Sequence, residues 1–348
     1  MSILTSLVAR TAPTHPAAPT GSSNMKPALH LPNDRWTPLE LLFWLLPVVA
    51  YFVFPDYLVL ISQVMIVGLF AVSLDLILGY AGIVSLGHAA FFGVGAYTAG
   101  LLAAHGWGEP ISGLLLAALA AAVVGFLVSF LVVRGADLTR LMVTLGIGLM
   151  LFEAANKAAF ITGGVDGLSG MVMDKIFGLF EFDLTGRVAY VYSFAVLFIV
   201  FAVLRRLVNS PFGLGLKGIR EGGRRMPAIG ADVSRRLVVI FTVAAAVAGV
   251  AGALLAQTTQ FVGLDVLGFP RSAELLIILV LGGTGRLYGG LIGALVYMLA
   301  QDYLSGLNPA YWQFWIGLLL IVIVLFARGG LLGGLAVLRE KFFKGGRA

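Results

Sequence analysis

The sequence predicts an all-α, polytopic membrane protein with about ten transmembrane helices, some of them broken or re-entrant. Of its 348 residues, 59% are hydrophobic and only 11% are charged. A soluble domain carries about 25% charged residues, because most of its surface meets water. In lipid the backbone must satisfy its own hydrogen bonds, and a helix does this within one segment. The 45 glycines fit this class, since small residues let helices in lipid approach closely.

Apolar stretches of the right length recur along the chain. A bilayer core about 30 Å thick needs about 20 apolar residues in a helical segment. Ten stretches fit between charged and turn residues: 38–54, 57–78, 83–104, 111–133, 139–160, 188–208, 237–257, 268–285, 287–305 and 311–327. Only a glycine-rich turn separates the eighth stretch from the ninth, so a re-entrant pair over 268–305 is an alternative to two full spans.

The two ends of the chain differ from the rest in composition. Residues 1–37 predict a disordered tail, because their middle part is rich in Pro, Ala and Thr. No basic region precedes the short apolar start, so a cleavable signal peptide is not expected. The natural start is open between Met1 and Met25. The transmembrane domain then covers 38–335, and a basic tail follows at 336–348.

Loop charge orients the predicted helices. If both termini are cytoplasmic, the inner loops carry Arg134, Arg140, Arg286 and a basic cluster within 209–236. The predicted outer segment 161–187 instead holds four acidic residues against two basic ones. Lys and Arg concentrate in cytoplasmic loops, so ten spans with both ends inside are self-consistent. The basic excess of this chain is therefore a topology signal and not a footprint of nucleic acid.

The inner loop 209–236 contains more than an orientation signal requires. It gathers six basic and two acidic residues. Residues 216–226 predict a short helix that follows a break at Pro211 and ends near Pro227, and Asp232 predicts the cap of the next helix. A short helix between two spans has the shape of a docking surface for a partner. Anchoring the topology alone is the alternative.

Several functional classes find no support in the sequence. Cysteine is absent, which excludes disulfides, thiolate chemistry and Cys-based metal sites. No G-x-x-x-x-G-K-[ST] motif for ATP binding occurs, nor H-E-x-x-H, nor G-x-S-x-G. The four histidines are scattered, so metal catalysis is not expected. An ion-coupled secondary transporter is the main alternative, because Asp75 and Glu153 lie within predicted spans.

Six segments, taken in order, resemble those of one known family. They are SLDLILGYAGIVSLGHAAFFGVGAYTAG (73–100), TGGVDGLSG (162–170), SPFGLGLKGIRE (210–221), AIGADVSRRL (228–237), AGVAGALLA (248–256) and LVLGGTGRLYGGLIGA (279–294). Over residues 40–335 the chain resembles the integral membrane permease subunits of bacterial branched-chain amino acid ABC importers. Of the two permease types in such importers, it is more similar to the longer, M-type partner.

The resemblance implies a non-catalytic, multi-pass permease subunit of the bacterial inner membrane. Such a subunit pairs with a second homologous permease subunit, as a heterodimer, and with two cytoplasmic ATPase subunits and a periplasmic solute-binding protein. This chain would hold no cofactor, because the ATPase subunits bind ATP and Mg. Branched-chain amino acids are the implied solutes. Urea, short amides and aromatic acids, which similar permeases move, are alternatives.

The resemblance also assigns the loop 209–236 to coupling with the ATPase. The residues implied in this role are Gly218, Ile219, Arg220, Glu221, Arg224, Arg225 and Gly230. Family members usually have an acidic residue and paired alanines where this chain reads GGRRMP (222–227). Two glycines lower helix propensity by about 1 kcal/mol each relative to alanine, whereas arginines can pair with acids of an ATPase. We therefore interpret this stretch as an altered coupling interface.

A second set of residues is assigned to the translocation path or gate: Asp75, Ser85, Gly87, His88, Gly93 and Asn156. Gly87 and Gly93 would let the helix unwind beside His88, and helix packing by His88 is the alternative. Asp75 must face protein or water at membrane depth. A structural polar tie is favoured there over ion coupling.

The predicted outer loop supplies a third set, for contact with the binding protein: Gly164, Asp166 and Gly167. An ordinary loop is the alternative. Just before it, Glu153 and Lys157 lie four residues apart, which predicts an ion pair on one helix face. Contact with the charged groups of the solute, or with the docked binding protein, is the sharper alternative for this pair.

Overall fold

The computed structural model describes residues 38–175, 180, 185–223, 225–309, 311–326 and 329–334. These residues form helices joined by turns, with no named strand among them and an isolated antiparallel bridge between Leu168 and Val262. The all-α class is thus confirmed. The predicted tails 1–37 and 336–348, and Arg224 of the inner loop, lie outside the described residues.

The helices are named in chain order. They are α1 (Pro38–Val53), α2 (Leu58–Asp75), α3 (Ala89–Ala104), α4 (Pro110–Arg134), α5 (Asp137–Lys157), α6 (Ala159–Thr162), α7 (Arg187–Asn209), α8 (Pro211–Gly222), α9 (Val233–Thr259), α10 (Phe269–Gly282), α11 (Leu287–Leu307) and α12 (Trp312–Phe326). A π-helical turn, Leu76–Tyr80, extends α2. Pro110 and Pro211 begin α4 and α8, at the helical position where a backbone N–H is not needed.

Each of the ten predicted stretches contains one helix, but the helices differ in length. Six segments of the described chain are long and apolar enough to cross a membrane: 55–80, 110–134, 137–157, 187–209, 233–259 and 287–307. Helices α1, α3, α10 and α12 have 14 to 16 residues, fewer than the roughly 20 that a span needs. The multi-pass class follows from the six long segments. The count of ten and the cytoplasmic termini stay predictions.

The third predicted stretch, 83–104, is too long at its start. Helix α3 begins only at Ala89, because the chain between the π-turn and this residue is not helical. Gly82, in this part, has a φ of 75°, a left-handed conformation that interrupts a right-handed helix and favours glycine. The extra residues of the prediction form a separate connecting segment, described below.

Helix α9 lies at the centre of the bundle, packed against α2, α3 and α4. Small residues bring these helices together: Gly249 faces Ala117 and Ala121 of α4, and Gly252 faces the carbonyl of Phe92 in α3. Close approach at small residues is the usual way in which helices associate in lipid. As a result, 72% of the most apolar 18 residues are buried in the segment that contains α2, and the same share in α9, against 11% in α5.

Helices α10 and α11 form a hairpin over the predicted re-entrant pair. The turn between them includes Gly283 and Gly285, with φ values of 108° and 79°. Gly282, Gly289 and Gly293 lie where the two helices touch, and any side chain there would meet backbone. The 14 residues of α10 give about 21 Å of helix, which favours the re-entrant alternative. The choice between re-entrant and full spans stays a prediction.

Helix α1 packs on the edge of the bundle, against α7 and the start of α11. Trp44 lies among Phe194, Phe198 and Phe201, and the Tyr190 hydroxyl donates to the Pro47 carbonyl at 2.7 Å. The opposite side of α1 leaves a run of large apolar side chains exposed. Such a surface is suited to lipid.

Candidate functional site

The loop 209–236, predicted to couple to an ATPase, contains the short helix α8, which is called the coupling helix below after that prediction. This helix begins at Pro211, five residues before the predicted start, because proline is well accommodated at the first helical position. It ends at Gly222 and not near Pro227, where the two adjacent glycines favour termination. The region of the predicted helix after this point instead contains a 3₁₀ turn, Met226–Ile229.

The coupling helix presents two different faces. Gly213, Leu216 and Ile219 recur at intervals of three and are buried against α7, α9 and the π-turn. Lys217 and Arg220 are exposed, as is Glu221. This amphipathic arrangement fixes α8 to the bundle by one face and leaves a charged face open. Gly218 lies between the two faces and is half-buried.

The end of the loop is held by turn and cap residues. Gly230 has a φ of 80° and is exposed. The Asp232 carboxylate accepts a hydrogen bond of 3.0 Å from the Arg235 N–H, which confirms the predicted cap of the next helix. Arg225 is exposed, so its guanidinium is available to a partner.

Arg220 connects the coupling helix to the end of α2. Its Nη1 donates a hydrogen bond to the Gly79 carbonyl in the π-turn. The neighbouring Lys217 ammonium lies 5.5 Å from the centre of the Tyr80 ring, within the range of a cation–π interaction. The missing side chain of Gly82 leaves room for the Arg220 stem, whose Cγ lies 3.1 Å from where a Cβ would stand. Residues 216–220 therefore contact the π-turn directly.

Asp75 continues this connection to the turn between α10 and α11. The residue is fully buried, and its Oδ1 accepts a hydrogen bond of 2.7 Å from the Gly285 N–H. A Cβ at Gly79 would collide with the Asp75 carboxylate and with the Gly285 nitrogen. We call Asp75, Gly79, Arg220 and Gly285 the coupling joint, since they tie α2, α8 and the α10–α11 turn together. This geometry agrees with the structural polar tie favoured for Asp75.

The segment between the π-turn and α3 is the candidate gate. Residues 81–88, called the gating segment below, are not a regular helix. The Leu86 N–H donates to the Thr144 hydroxyl of α5 at 3.2 Å. Next to the segment, the Ala89 N–H donates to the Ser272 hydroxyl of α10 at 2.9 Å. Side chains of α5 and α10 therefore hold the segment, in addition to a backbone hydrogen bond of 2.8 Å from the Ile83 N–H to the Ile77 carbonyl.

Three of the predicted path residues lie in the gating segment. Ser85 and His88 are buried, and a Cβ at Gly87 would collide with the Thr144 carbonyl. The predicted unwinding is thus found at Gly87. It does not extend to Gly93, which lies inside α3 and makes room for the Leu267 side chain.

His88 packs against α2. Its Nε2 lies 2.9 Å from the Ser73 Oγ, and the Ser73 hydroxyl donates to the Phe70 carbonyl at 2.6 Å. Because that hydroxyl has one hydrogen, we assign the Nε2 proton to the imidazole. The ring stacks on Phe70 at 5.7 Å between centroids and meets Phe91 edge-on. These contacts favour the packing alternative for His88.

Asn156 lies far from the gating segment. It is half-buried near the end of α5, twelve residues beyond Thr144, which corresponds to about 18 Å along a helix. Nearby, the Lys157 Nζ lies 3.7 Å from the Glu153 Oε1, with side chains 78% and 53% exposed. The predicted ion pair is present, but such exposed pairs contribute little to stability.

The predicted outer loop forms a compact turn. Gly163 and Gly167 have φ values of 78° and 75°, and a 3₁₀ turn, Gly164–Asp166, lies between them. Gly164 is buried, whereas Asp166 is exposed. The bridge between Leu168 and Val262 fixes the loop to the connection after α9. The structure thus presents Asp166 on the surface, as a contact site requires, and its role stays a prediction.

The coupling joint and the contacts of the gating segment include four residues that were not identified from the sequence: Gly79, Thr144, Ser272 and Gly285. The Asp75–Gly285 bond joins residues 210 positions apart, and no local pattern signals such a pairing. Serine and threonine hydroxyls inside apolar spans were the available signal. Among the described residues, no group of three or more metal-ligating side chains could hold a metal ion.

Comparison with known proteins identifies the family. A family model described as the permease component of a branched-chain amino acid transport system matches residues 57–324. The chain therefore belongs to this family of membrane permeases.

Similarity to individual proteins supports the same family. The chain is 30% identical over 295 residues to the high-affinity branched-chain amino acid transport system permease protein LivM of Escherichia coli K12, covering 77% of this chain and 68% of that protein. The expected M type is thus confirmed.

Two further relatives are permease proteins with other names. The L-arabinose ABC transporter permease protein AraH of Azospirillum brasilense is 31% identical over 294 residues, covering 78% of this chain and 81% of AraH. The E. coli K12 permease protein LivH is 24% identical over 286 residues, covering 76% of this chain and 90% of LivH. No solved structure matches the chain.

Proposed function

We propose that this chain is the membrane-spanning permease subunit of an ATP-driven importer in the bacterial inner membrane. The observation that carries the proposal is the coupling helix α8, which leaves a charged face open and is joined through Arg220 to the end of α2. ATPase subunits dock on that open face and bind ATP and Mg themselves. The sequence has no motif of its own for this purpose.

The coupling joint provides a route for motion. When the ATPase dimer closes and moves α8, Arg220 pulls on the Gly79 carbonyl, and Asp75 carries the displacement to Gly285. The π-turn leads directly into the gating segment, so the segment shifts against α5 and α10. Side-chain hydrogen bonds at Thr144 and Ser272 can break and reform at lower cost than a helical backbone ladder. The passage then changes from outward to inward access.

The solute is a branched-chain amino acid delivered by a periplasmic binding protein. The name of LivM supports this choice. The name of AraH, however, assigns a sugar to a permease whose sequence identity to this chain is about the same as that of LivM. Urea, short amides and aromatic acids therefore stay alternatives. Selectivity then comes in large part from the binding protein, which docks near Asp166.

A second permease subunit completes the path. Escherichia coli K12 has both a LivM and a LivH permease protein with similarity to this chain, which supports a heterodimer of two homologous permeases. An ion-coupled secondary transporter gains no support from the geometry. Asp75 is fixed by a hydrogen bond, and Glu153 is exposed beside Lys157.

The docking role of the loop is tested by reversing the charge of two of its arginines. The double variant Arg224→Glu/Arg225→Glu should release the ATPase or abolish ATP-dependent leucine uptake in proteoliposomes supplied with binding protein. The control Arg134→Glu/Arg206→Glu reverses two arginines elsewhere on the predicted inner side, and it should retain both. Uptake driven by an ion gradient without ATPase would refute the proposed function.

A further inference from the structure

A cavity of about 440 Å³ lies between α1, the end of α7, the coupling helix and the start of α11. Its charged lining residues are Arg205, Lys217, Arg286 and Glu40. Three cations thus face one acid. The loop charges predict that this edge of the bundle is cytoplasmic. The gating residues do not line the cavity.

The single acid of the cavity is already matched. Glu40 Oε2 lies 3.0 Å from Arg205 Nη2, and both side chains are largely buried. The remaining positive charge comes from Lys217 and Arg286, which are exposed. Helix α11 begins at Leu287 within the lining, so the positive end of its dipole adds to the same potential. The cavity is therefore suited to an anion.

The surroundings of the cavity are apolar. Phe43 lines it together with Tyr80 and Tyr288. Along the same helix as Glu40 and Phe43, large side chains of α1 are exposed on the outside of the bundle; these are Leu41, Leu42, Leu45, Leu46, Val48, Val49, Phe52 and Val53. A ligand with a negative head and apolar chains can fill the cavity and lie along α1. A free anion has no use for this second surface.

From these features we infer that the cavity binds the phosphate headgroup of an anionic phospholipid. The phosphodiester lies between Lys217 and Arg286, and the acyl chains follow the exposed side of α1. Basic pockets between helices at the cytoplasmic edge are typical sites for such headgroups. Phosphatidylcholine fits less well, because its own cation competes with the two side chains. The inference does not rest on transport, and neither does its test.

Native mass spectrometry of the full-length purified chain tests the inference. Wild-type protein should bind one phosphatidylglycerol in preference to phosphatidylcholine. Removing two Lys/Arg contacts should weaken phosphatidylglycerol binding about thirtyfold, so the variant Lys217→Gln/Arg286→Gln should lose the preference. The control Arg134→Gln/Arg206→Gln loses the same charge outside the cavity and should keep it.

Two further measurements decide the source and the place of binding. Inorganic phosphate in excess should not displace the lipid; displacement would show that the site takes a free anion and would overturn the inference. A photoreactive phosphatidylglycerol, used on the wild-type chain, should cross-link to residues of 38–53 or 287–307. Cross-links elsewhere only, or an unchanged preference in the Lys217/Arg286 variant, would also overturn it.

Discussion

At the scale of residues, the coupling joint depends on a few polar contacts inside an apolar bundle. Asp75 and Gly285 share a hydrogen bond of 2.7 Å, and Arg220 bonds the Gly79 carbonyl. A buried polar group that loses its partner costs about 1–3 kcal/mol. Each of these contacts is thus large enough to bias an equilibrium between two conformations of the proposed passage.

Replacing Arg220 separates transmission from docking. Arg220→Gln removes the guanidinium that reaches Gly79, and a charged hydrogen bond of about 1.5–3 kcal/mol corresponds to about tenfold or more in the coupling equilibrium. Because Glu221 and Arg225 remain exposed for docking, we expect ATPase subunits to co-purify while uptake falls by this factor. Arg235→Gln is the control of equal charge. Normal uptake by Arg220→Gln would show that the joint transmits nothing.

Gly79 has no space for a side chain. In Gly79→Ala the added methyl would meet the Asp75 carboxylate and the Gly285 nitrogen, and overpacking of this kind costs about 1–3 kcal/mol. The melting temperature in detergent should fall. Gly146→Ala in α5 is the matched control, since nothing lies within 4 Å of its Cβ position. Equal melting temperatures for the two variants would contradict the tight packing at the joint.

At the scale of elements, the sequence predicts position better than conformation. Charge and proline placed the coupling helix correctly within 209–236, because exposed charges and helix breakers leave local signals. The gating segment was predicted as part of a span, since Ala89–Ala104 and the residues before it are equally apolar. Its hydrogen bonds to Thr144 and Ser272 join distant parts of the chain, and such pairing has no local signature.

The gating segment can be followed with a single thiol, because the chain contains no cysteine. Ser85 is fully buried, so Ser85→Cys should react slowly with a thiol reagent at rest and faster while the assembled importer hydrolyses ATP. Ser169→Cys, exposed on the predicted outer loop, is the control and should react quickly in both conditions. A Ser85→Cys rate that ignores ATP turnover would rule out movement of this segment.

At the scale of the whole molecule, hydropathy predicts the multi-pass class. Of the ten predicted stretches, six correspond to segments of the described chain that are long and apolar enough to span a membrane. Short helices such as α3 and α10 have apolar sequences like those of the long ones. Their depth in the membrane depends on how they pack against α2, α9 and α11. Packing at Gly95, Gly249 or Gly282 depends on the missing side chain, which lets two helices approach closely. Hydropathy contains no information about this fit.

The orientation of the molecule is open to a direct measurement. Val165 on the predicted outer loop and Ile229 on the predicted inner loop are 82% and 77% exposed. A reagent that cannot cross membranes should label Val165→Cys in cells whose outer membrane has been made permeable, and Ile229→Cys only after lysis. The reverse pattern would invert the topology, and labelling of both in unlysed cells would place the two loops on one side.

The π-turn Leu76–Tyr80 has a geometric consequence for the protein. Its backbone bonds span five residues, one more than in an α-helix. If this turn changed to α-helical geometry, the segment that follows would become longer by one residue. That segment would also rotate by about 100° around the helix axis. The end of α2 can therefore shift the following segment by a step of one residue.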